Sequence, residues 1–140
     1  MARRKPDPQI VAALRRVTDL DRDAIDDIAA VGVIVTIPAR WSVIHEQTPA
    51  DRAYVLLEGE AEVRKSKVAV ATLGPGDVFG EIALVDGRLR SASVVAVTPL
   101  TAVHLTDEAF AELLVRDPSL GEKLREVARS RQGDAAAPTD

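Results

Sequence analysis

The sequence predicts a mainly β fold with flanking helices: an eight-stranded antiparallel β-roll or jelly roll, with helices N-terminal to it and capping helices C-terminal to it. Three observations predict it. Between Val31 and Leu105, short runs of β-branched and apolar residues recur, separated by turn signals about every 8–12 residues. On either side of that stretch the apolar spacing changes to the three-and-four pattern of helices. The chain has 140 residues, one domain's worth, with no internal repeat. A chain of that size buries ~68–70% of its unfolded surface and needs no disulfide or metal to fold.

Residues 1–7 read as a disordered basic N-terminus, with Arg3, Arg4 and Lys5 in solvent, and the domain as 8–132. Asp7-Pro8 places a capping residue before a proline, a helix start, and Ile10, Leu14 and Val17 follow at helical spacing. Asp21 can cap a second helix in which Ile25, Ile28 and Ala29 share a face, so helices occupy 8–30. The roll spans 31–105. Val31 to Ile37 is a β-branched run that stops at Pro38, and Trp41 to His45 is a second strand. Ala53-Tyr-Val-Leu-Leu57 is continuously apolar, as in a strand covered on both faces. Glu60 to Arg64 follows, then a polar hairpin tip at Lys65-Ser66-Lys67, then Val68 to Leu73 and the turn Gly74-Pro75-Gly76-Asp77. After a gap from Val78 to Arg90 come two strands, Ser91 to Val97 and Leu100 to Leu105. The C-terminal helices occupy 106–132. Thr106 caps the first, with Phe110, Leu113 and Leu114 inward. Asp117-Pro118 starts the second, with Ser119 and Glu122 spaced as a capping box and Leu120, Leu124, Val127 and Ala128 as its apolar positions. Residues 133–140 read as a disordered tail.

Composition excludes several classes. There is no cysteine, which removes disulfide scaffolds, thiolate metal sites and thiol nucleophiles. The net charge is −4, so direct DNA binding is not expected. Aromatics make up only 3% of the chain, too few for a base-stacking platform along single-stranded nucleic acid. No apolar run is long enough to span a membrane and no export leader starts the chain, so a cytoplasmic protein is expected. The two histidines, His45 and His104, read as structural, and no metal site is expected. Arginine outnumbers lysine 14 to 4, a compositional hint of a GC-rich bacterial genome. No catalytic residues stand out, since no acid/base pair lies beside a nucleophile; the chain does not read as an enzyme.

The stretch from Gly76 to Val94 is unlike the rest. A glycine at position 80 lets backbone approach a ligand closely. A short helix after it would present free N–H groups to an anion. Arg90 adds a charged fork suited to a phosphate, and Ser91 a hydroxyl beside it. Glu81 is the carboxylate of that turn, and carboxylates commonly accept from vicinal ribose hydroxyls. A phosphate anchor and a ribose anchor around one small helix describe a nucleotide pocket. The competing reading pairs Glu81 with Arg90 at the surface, worth ~0–1 kcal/mol; Gly80, the helical turn and Ser91 tip the balance towards a ligand.

These residues carry a resemblance. Phe79-Gly80-Glu81-Ile82-Ala83-Leu84 with Arg90-Ser91-Ala92-Ser93-Val94 is similar to the phosphate-binding cassette of the cyclic nucleotide-binding domain family, which includes catabolite activator proteins and regulatory subunits of cyclic-AMP-dependent kinase. Leu73 to Glu81, Tyr54 to Val63 and Phe110 to Pro118 also resemble that family, and the likeness runs from Arg16 to Arg131. It implies a cassette over 79–93. Glu81 would bind the ribose 2′-hydroxyl and Arg90 the cyclic phosphate. Gly80, Ile82 and Ala83 would give backbone contacts, and Ser91 a hydroxyl to the phosphate. Phe79, Ala92 and Ser93 complete the implied ligand-binding set, Ser93 either facing the barrel wall or placing a second hydroxyl near the base. Two departures stand out: Leu89 occupies the place where the family often has proline before the arginine, and Glu46-Gln47-Thr48-Pro49 replaces a turn that commonly carries Glu-Gly-Asp.

The resemblance also implies that the last helix folds over the base. Leu124, Val127 and Ala128 could cap it by apolar contact, or Arg125 or Arg129 by stacking; ordinary packing on the barrel is the equal alternative. Cyclic AMP is expected ahead of cyclic GMP, with no cofactor and no metal. With only a tail after Arg131, the expected function is a stand-alone sensor. It would act on a separate effector protein, self-associate as a homodimer through its terminal helices, or buffer the nucleotide. The alternative is a β-roll scaffold that binds no nucleotide.

Overall fold

The computed structural model describes residues 5–44, 52–79, 92–120 and 122–123. The expected roll is there, as two four-stranded antiparallel sheets with helices before and after them. Helix α1 (Pro8–Val17) starts where expected: the Asp7 side chain accepts from Gln9 N at 2.8 Å, and Pro8 sits at the first helical position, where its missing N–H costs nothing. Helix α2 (Arg22–Val31) is capped by Asp21, whose Oδ1 accepts from Ala24 N at 2.8 Å. Val31, expected to open a strand, is instead the last helical residue. The Gly32 N–H donates to Ile28 O at 2.7 Å and ends the helix there. Val31 keeps its side chain against the helical side of the core, which a strand beginning two residues earlier than Val33 would forfeit.

The strands are β1 (Val33–Ile37), β2 (Ser42–Ile44), β3 (Arg52–Glu58), β4 (Ala61–Lys65), β5 (Val68–Leu73), β6 (Val78–Phe79), β7 (Ser93–Ala96) and β8 (Leu100–Thr106). One sheet runs β1-β8-β3-β6 and the other β2-β7-β4-β5. The continuous apolar run of β3 is explained by its two covered faces. Ala53, Val55 and Leu57 join Ile10, Leu14, Ile28, Phe110 and Leu113 beneath the helices. Tyr54 and Leu56 point the other way, into the roll, with Phe79, Val94, Ala96 and Leu100. β8 divides likewise, Val103 and Leu105 towards the helices, Leu100 and Ala102 inward. One sheet thus separates two apolar clusters.

Turn chemistry follows the sequence. Ser66 and Lys67 both take positive φ (51° and 70°), the two-residue hairpin geometry that matches strand twist. Gly74 to Asp77 closes with Asp77 N donating to Gly74 O at 3.0 Å; Pro75 takes the second position and Gly76, at φ 94°, the third. Strand β6 is an addition to the sequence reading. It forms because Leu56 N donates to Asp77 O and Gly76 N to Leu56 O, both at 2.8 Å, leading into the pairs Val55–Val78 and Tyr54–Phe79. Its two described residues carry no periodicity, so no pattern announces them.

Helix α3 (Asp107–Arg116) is capped by Thr106, whose hydroxyl accepts from Ala109 N at 3.0 Å, with Phe110 and Leu113 buried. The next helical turn begins after Asp117-Pro118, as expected, but Asp117 and not Ser119 caps it. Asp117 Oδ1 accepts from both the backbone N–H and the hydroxyl of Ser119, so that hydroxyl donates to the cap instead of serving as one. Leu120 is fully buried beneath the helices. No helix among the described residues is long and apolar enough to cross a membrane.

Candidate ligand site

The order of strands fixes which connections share an end of the roll. The turns β1–β2, β3–β4, β5–β6 and β7–β8 lie at one end; at the other lie the β4–β5 turn, the last described residues of β2 and β6 and the first of β3 and β7. At that second end Phe79 closes the described part of β6 and Ser93 opens β7. A row of cross-strand neighbours runs along the inner face of one sheet there: Val33 opposite His104, His104 opposite Tyr54, and Tyr54 opposite Phe79. Tyr54 and Phe79 are stacked, ring centroids 5.0 Å apart and planes 17° from parallel. His104 meets the Tyr54 ring at 5.3 Å and 59°. Across the roll, Ile44, Val63 and Val94 supply the apolar wall of the other sheet.

Of the residues singled out by sequence, Phe79 is buried at the end of β6, inside the roll. Ala92 is half-buried just before β7. Ser93 opens β7 opposite Arg64; the strand's alternation sends Val94 and Ala96 inward and places Ser93 with Val95 on the outer face. Gly80, Glu81, Ile82, Ala83, Arg90 and Ser91 lie outside the described residues, as do Leu124, Arg125, Val127, Ala128, Arg129, His45 and the Glu46–Pro49 turn. Sequence reasoning passed over the stack of Tyr54 on Phe79. Its one available signal was that an aromatic-poor chain places its single tyrosine in a continuously apolar run. Among the described residues no group of three or more His, Asp or Glu side chains could hold a metal ion.

A second feature links the N-terminal helices to the start of the last helix. Lys123 Nζ lies 3.2 Å from Asp21 Oδ2 and 3.1 Å from Asp117 Oδ2, joining the caps of two helices, and Arg116 Nε approaches Asp27 at 3.8 Å. These residues, with Asp23 and Asp26, line a cavity of about 670 Å³ between α2, α3 and the following turn. The Asp21 carboxyl is held below its ordinary value of 3.8 by the Ala24 N–H first and Lys123 second, and Asp117 by Ser119 first and Lys123 second. Lys123 is raised above 10.5 by Asp117 and then Asp21. A depressed carboxylate stabilises the fold above its unfolded pKa and stops doing so as pH falls through the folded value; a raised lysine does so below its unfolded pKa until pH rises through the folded one. The difference in melting temperature between wild type and Lys123→Gln should therefore stay level from about pH 5 to pH 9 and shrink outside that window. A difference that changes between pH 6 and 8 would contradict this assignment of the network.

The strand order defines a helix-backed β-roll in which the sixth strand ends and the seventh begins at the same mouth. The chain belongs to the cyclic nucleotide-binding domain family, whose model matches residues 34–117. It is 33% identical over 129 residues to a cyclic nucleotide-gated potassium channel of Mesorhizobium japonicum, covering 92% of this chain and 36% of the channel. It is 42% identical over 82 residues to a cAMP-dependent protein kinase regulatory subunit of Aspergillus fumigatus, covering 57% of this chain and 20% of that one. Among solved structures, a cyclic nucleotide-binding domain from Methylobacillus flagellatus superimposes with a TM-score of 0.72 at 26% identity, covering 91% of this chain and 78% of the other. The chain thus spans about a third and a fifth of the length of those two curated relatives.

Proposed function

We propose that this chain binds a cyclic nucleotide, cyclic AMP ahead of cyclic GMP, at the mouth of the roll where Phe79 and Ala92, the residues that flank 80–91 in sequence, lie. The observation that carries this reading is the family match over 34–117, which encloses Gly80, Glu81, Arg90 and Ser91 in the order and chemistry a nucleotide needs. Glu81 takes the ribose 2′-hydroxyl and Arg90 the cyclic phosphate. Gly80, Ile82 and Ala83 contribute backbone contacts and Ser91 a hydroxyl. Leu124, Val127 and Ala128, or the Arg125 guanidinium, cover the base. The module occupies residues 8–132 and acts as a cytoplasmic sensor, not as an enzyme. Ligand shifts the C-terminal helix only as far as it binds the covered state more tightly. Output passes to a separate effector protein or through self-association of the terminal helices, or the chain buffers the nucleotide.

Titration calorimetry with cyclic AMP and cyclic GMP, paired with thermal melts, tests this. Ligand at 100 times its Kd should stabilise the fold by about 2.7 kcal/mol, a melting shift of several degrees. A melt unmoved by millimolar cyclic nucleotide would leave the roll as a scaffold and end the sensor reading.

A further inference from the structure

We infer that the outer edge of β1 is a self-association surface, on which a second copy of this chain pairs its own β1 antiparallel across a two-fold axis. The inference stands apart from nucleotide binding and concerns a surface other than the terminal helices.

Strand β1 is five β-branched residues in a row, Val33-Ile34-Val35-Thr36-Ile37, with no charge, glycine or proline among them. It lies at the end of its sheet, and among the described residues β8 alone pairs with it. That pairing is regular over all five positions, from Val33 opposite His104 to Ile37 opposite Leu100. A regular edge presents an ordered row of backbone N–H and C=O groups, which recruits a further strand unless charge, proline or a bulge blunts it. The β5 edge of the other sheet is blunted in that way. Its pairing with β4 slips between Val63 and Arg64, which leaves Val70 as an extra, bulged residue. β1 has no such device, and none of its residues is fully buried. Ile34 packs on the helical cluster and Val35 and Ile37 on the inner one, each only half-covered, while Val33 is 52% exposed.

The sequence of the strand says what fits it. A two-fold axis through Val35 sets Val33 opposite Ile37 of the second copy, Ile34 opposite Thr36, and Val35 opposite itself. Odd positions meet odd, so Val33, Val35 and Ile37 extend the inner apolar face, and Ile34 extends the face beneath the helices. No charge meets a like charge, and every cross-strand pair is β-branched on both sides, which suits neighbouring strands. Slippage is limited at both ends. Helix α2 runs to Val31, and Pro38, which has no N–H, follows the strand, so the five residues overlap fully in that register alone. The contact is isologous and closes at two copies. Five residues a side make a small interface, under about 1,200 Å², which corresponds to a weak dimer.

Sedimentation velocity of the full chain over a concentration series, without nucleotide, tests this. Wild type should pass from monomer to dimer between about 1 and 1,000 µM, the range of weak complexes. Thr36→Lys and Val33→Lys each put a charge on an exposed position of the strand. Each should weaken the dimer at least about tenfold, while the melt of the dilute monomer moves by no more than about 3 °C. Val115→Lys, on α3 and 82% exposed, adds the same charge elsewhere and should leave the dimer within about twofold of wild type. A wild type that stays monomeric throughout the range overturns the inference. So does a dimer that Thr36→Lys and Val33→Lys leave intact, since self-association would then run through the terminal helices or another face. Hydrogen exchange gives an independent reading: protection of the β1 amides should rise with concentration. Full protection already present in the dilute monomer would mean that the chain's own residues cover this edge, and would count against a second copy.

Discussion

Replacing Arg90 with alanine should weaken cyclic AMP binding by about 30-fold or more, corresponding to ~2–5 kcal/mol. The reason is electrostatic and geometric together. A cyclic phosphate has two exocyclic oxygens and one negative charge, and a planar guanidinium meets such a pair with two parallel charge-assisted hydrogen bonds. Alanine leaves the anion in its pocket with the charge unmatched, so most of the loss is the cost of an unpaired buried charge. Lysine restores the charge but not the fork, and Arg90→Lys should recover only part of the affinity. Calorimetry at one ionic strength checks the series. An Arg90→Ala chain that binds as tightly as wild type would remove Arg90 from the site and, with it, the assignment of residues 79–93.

Gly76→Ala should be the costliest small substitution for stability, about 2–4 kcal/mol, of which ~1–3 is backbone strain. Gly76 sits at φ 94°, a region that L side chains rarely adopt. A Cβ there would also lie 2.1 Å from the Val17 carbonyl oxygen at the C-terminal end of α1, so backbone must move. That turn carries Asp77, whose carboxylate accepts from Gly74 N at 2.7 Å and whose carbonyl accepts from Leu56 N. The damage should thus reach β6 and the mouth of the roll, lowering ligand affinity as well as the melting temperature. Chemical denaturation of the unliganded chain measures the first effect. A loss below about 0.5 kcal/mol, the range of an ordinary surface change, would show that α1 and the turn are not rigidly packed.

Much of the architecture was legible because it rests on local rules. Asp7, Asp21 and Thr106 cap helices because a short side chain can reach the free N–H groups of the first turn, whatever lies beyond. The tip at Ser66-Lys67 and the Gly74–Asp77 turn follow from residues that tolerate or demand a given φ. The double-sided run at Ala53–Leu57 announced a strand covered on both faces. Where local rules competed, the sequence reading slipped. Val31 could extend a helix or open a strand, and packing against the helical cluster decided it. Ser119 and Asp117 could each cap the last helix, and the acidic residue directly before proline took the position.

The candidate site divides in the same way. Glycine, a carboxylate, an arginine and a serine within residues 80–91 are the groups from which the sequence reading proposed a nucleotide, because a guanidinium suits a phosphate and a carboxylate accepts from ribose hydroxyls. Nothing local could place Tyr54 beside Phe79, 25 residues apart, or join Lys123 to Asp21 across 102 residues. By itself the sequence determined the class of fold, the helix starts and the turn geometry, since each depends on the chemistry of a few adjacent residues. Only the tertiary structure decided which residues share the mouth of the roll. That depends on strand pairing, which brings distant residues together through backbone hydrogen bonds common to every residue type and so leaves no mark in the sequence.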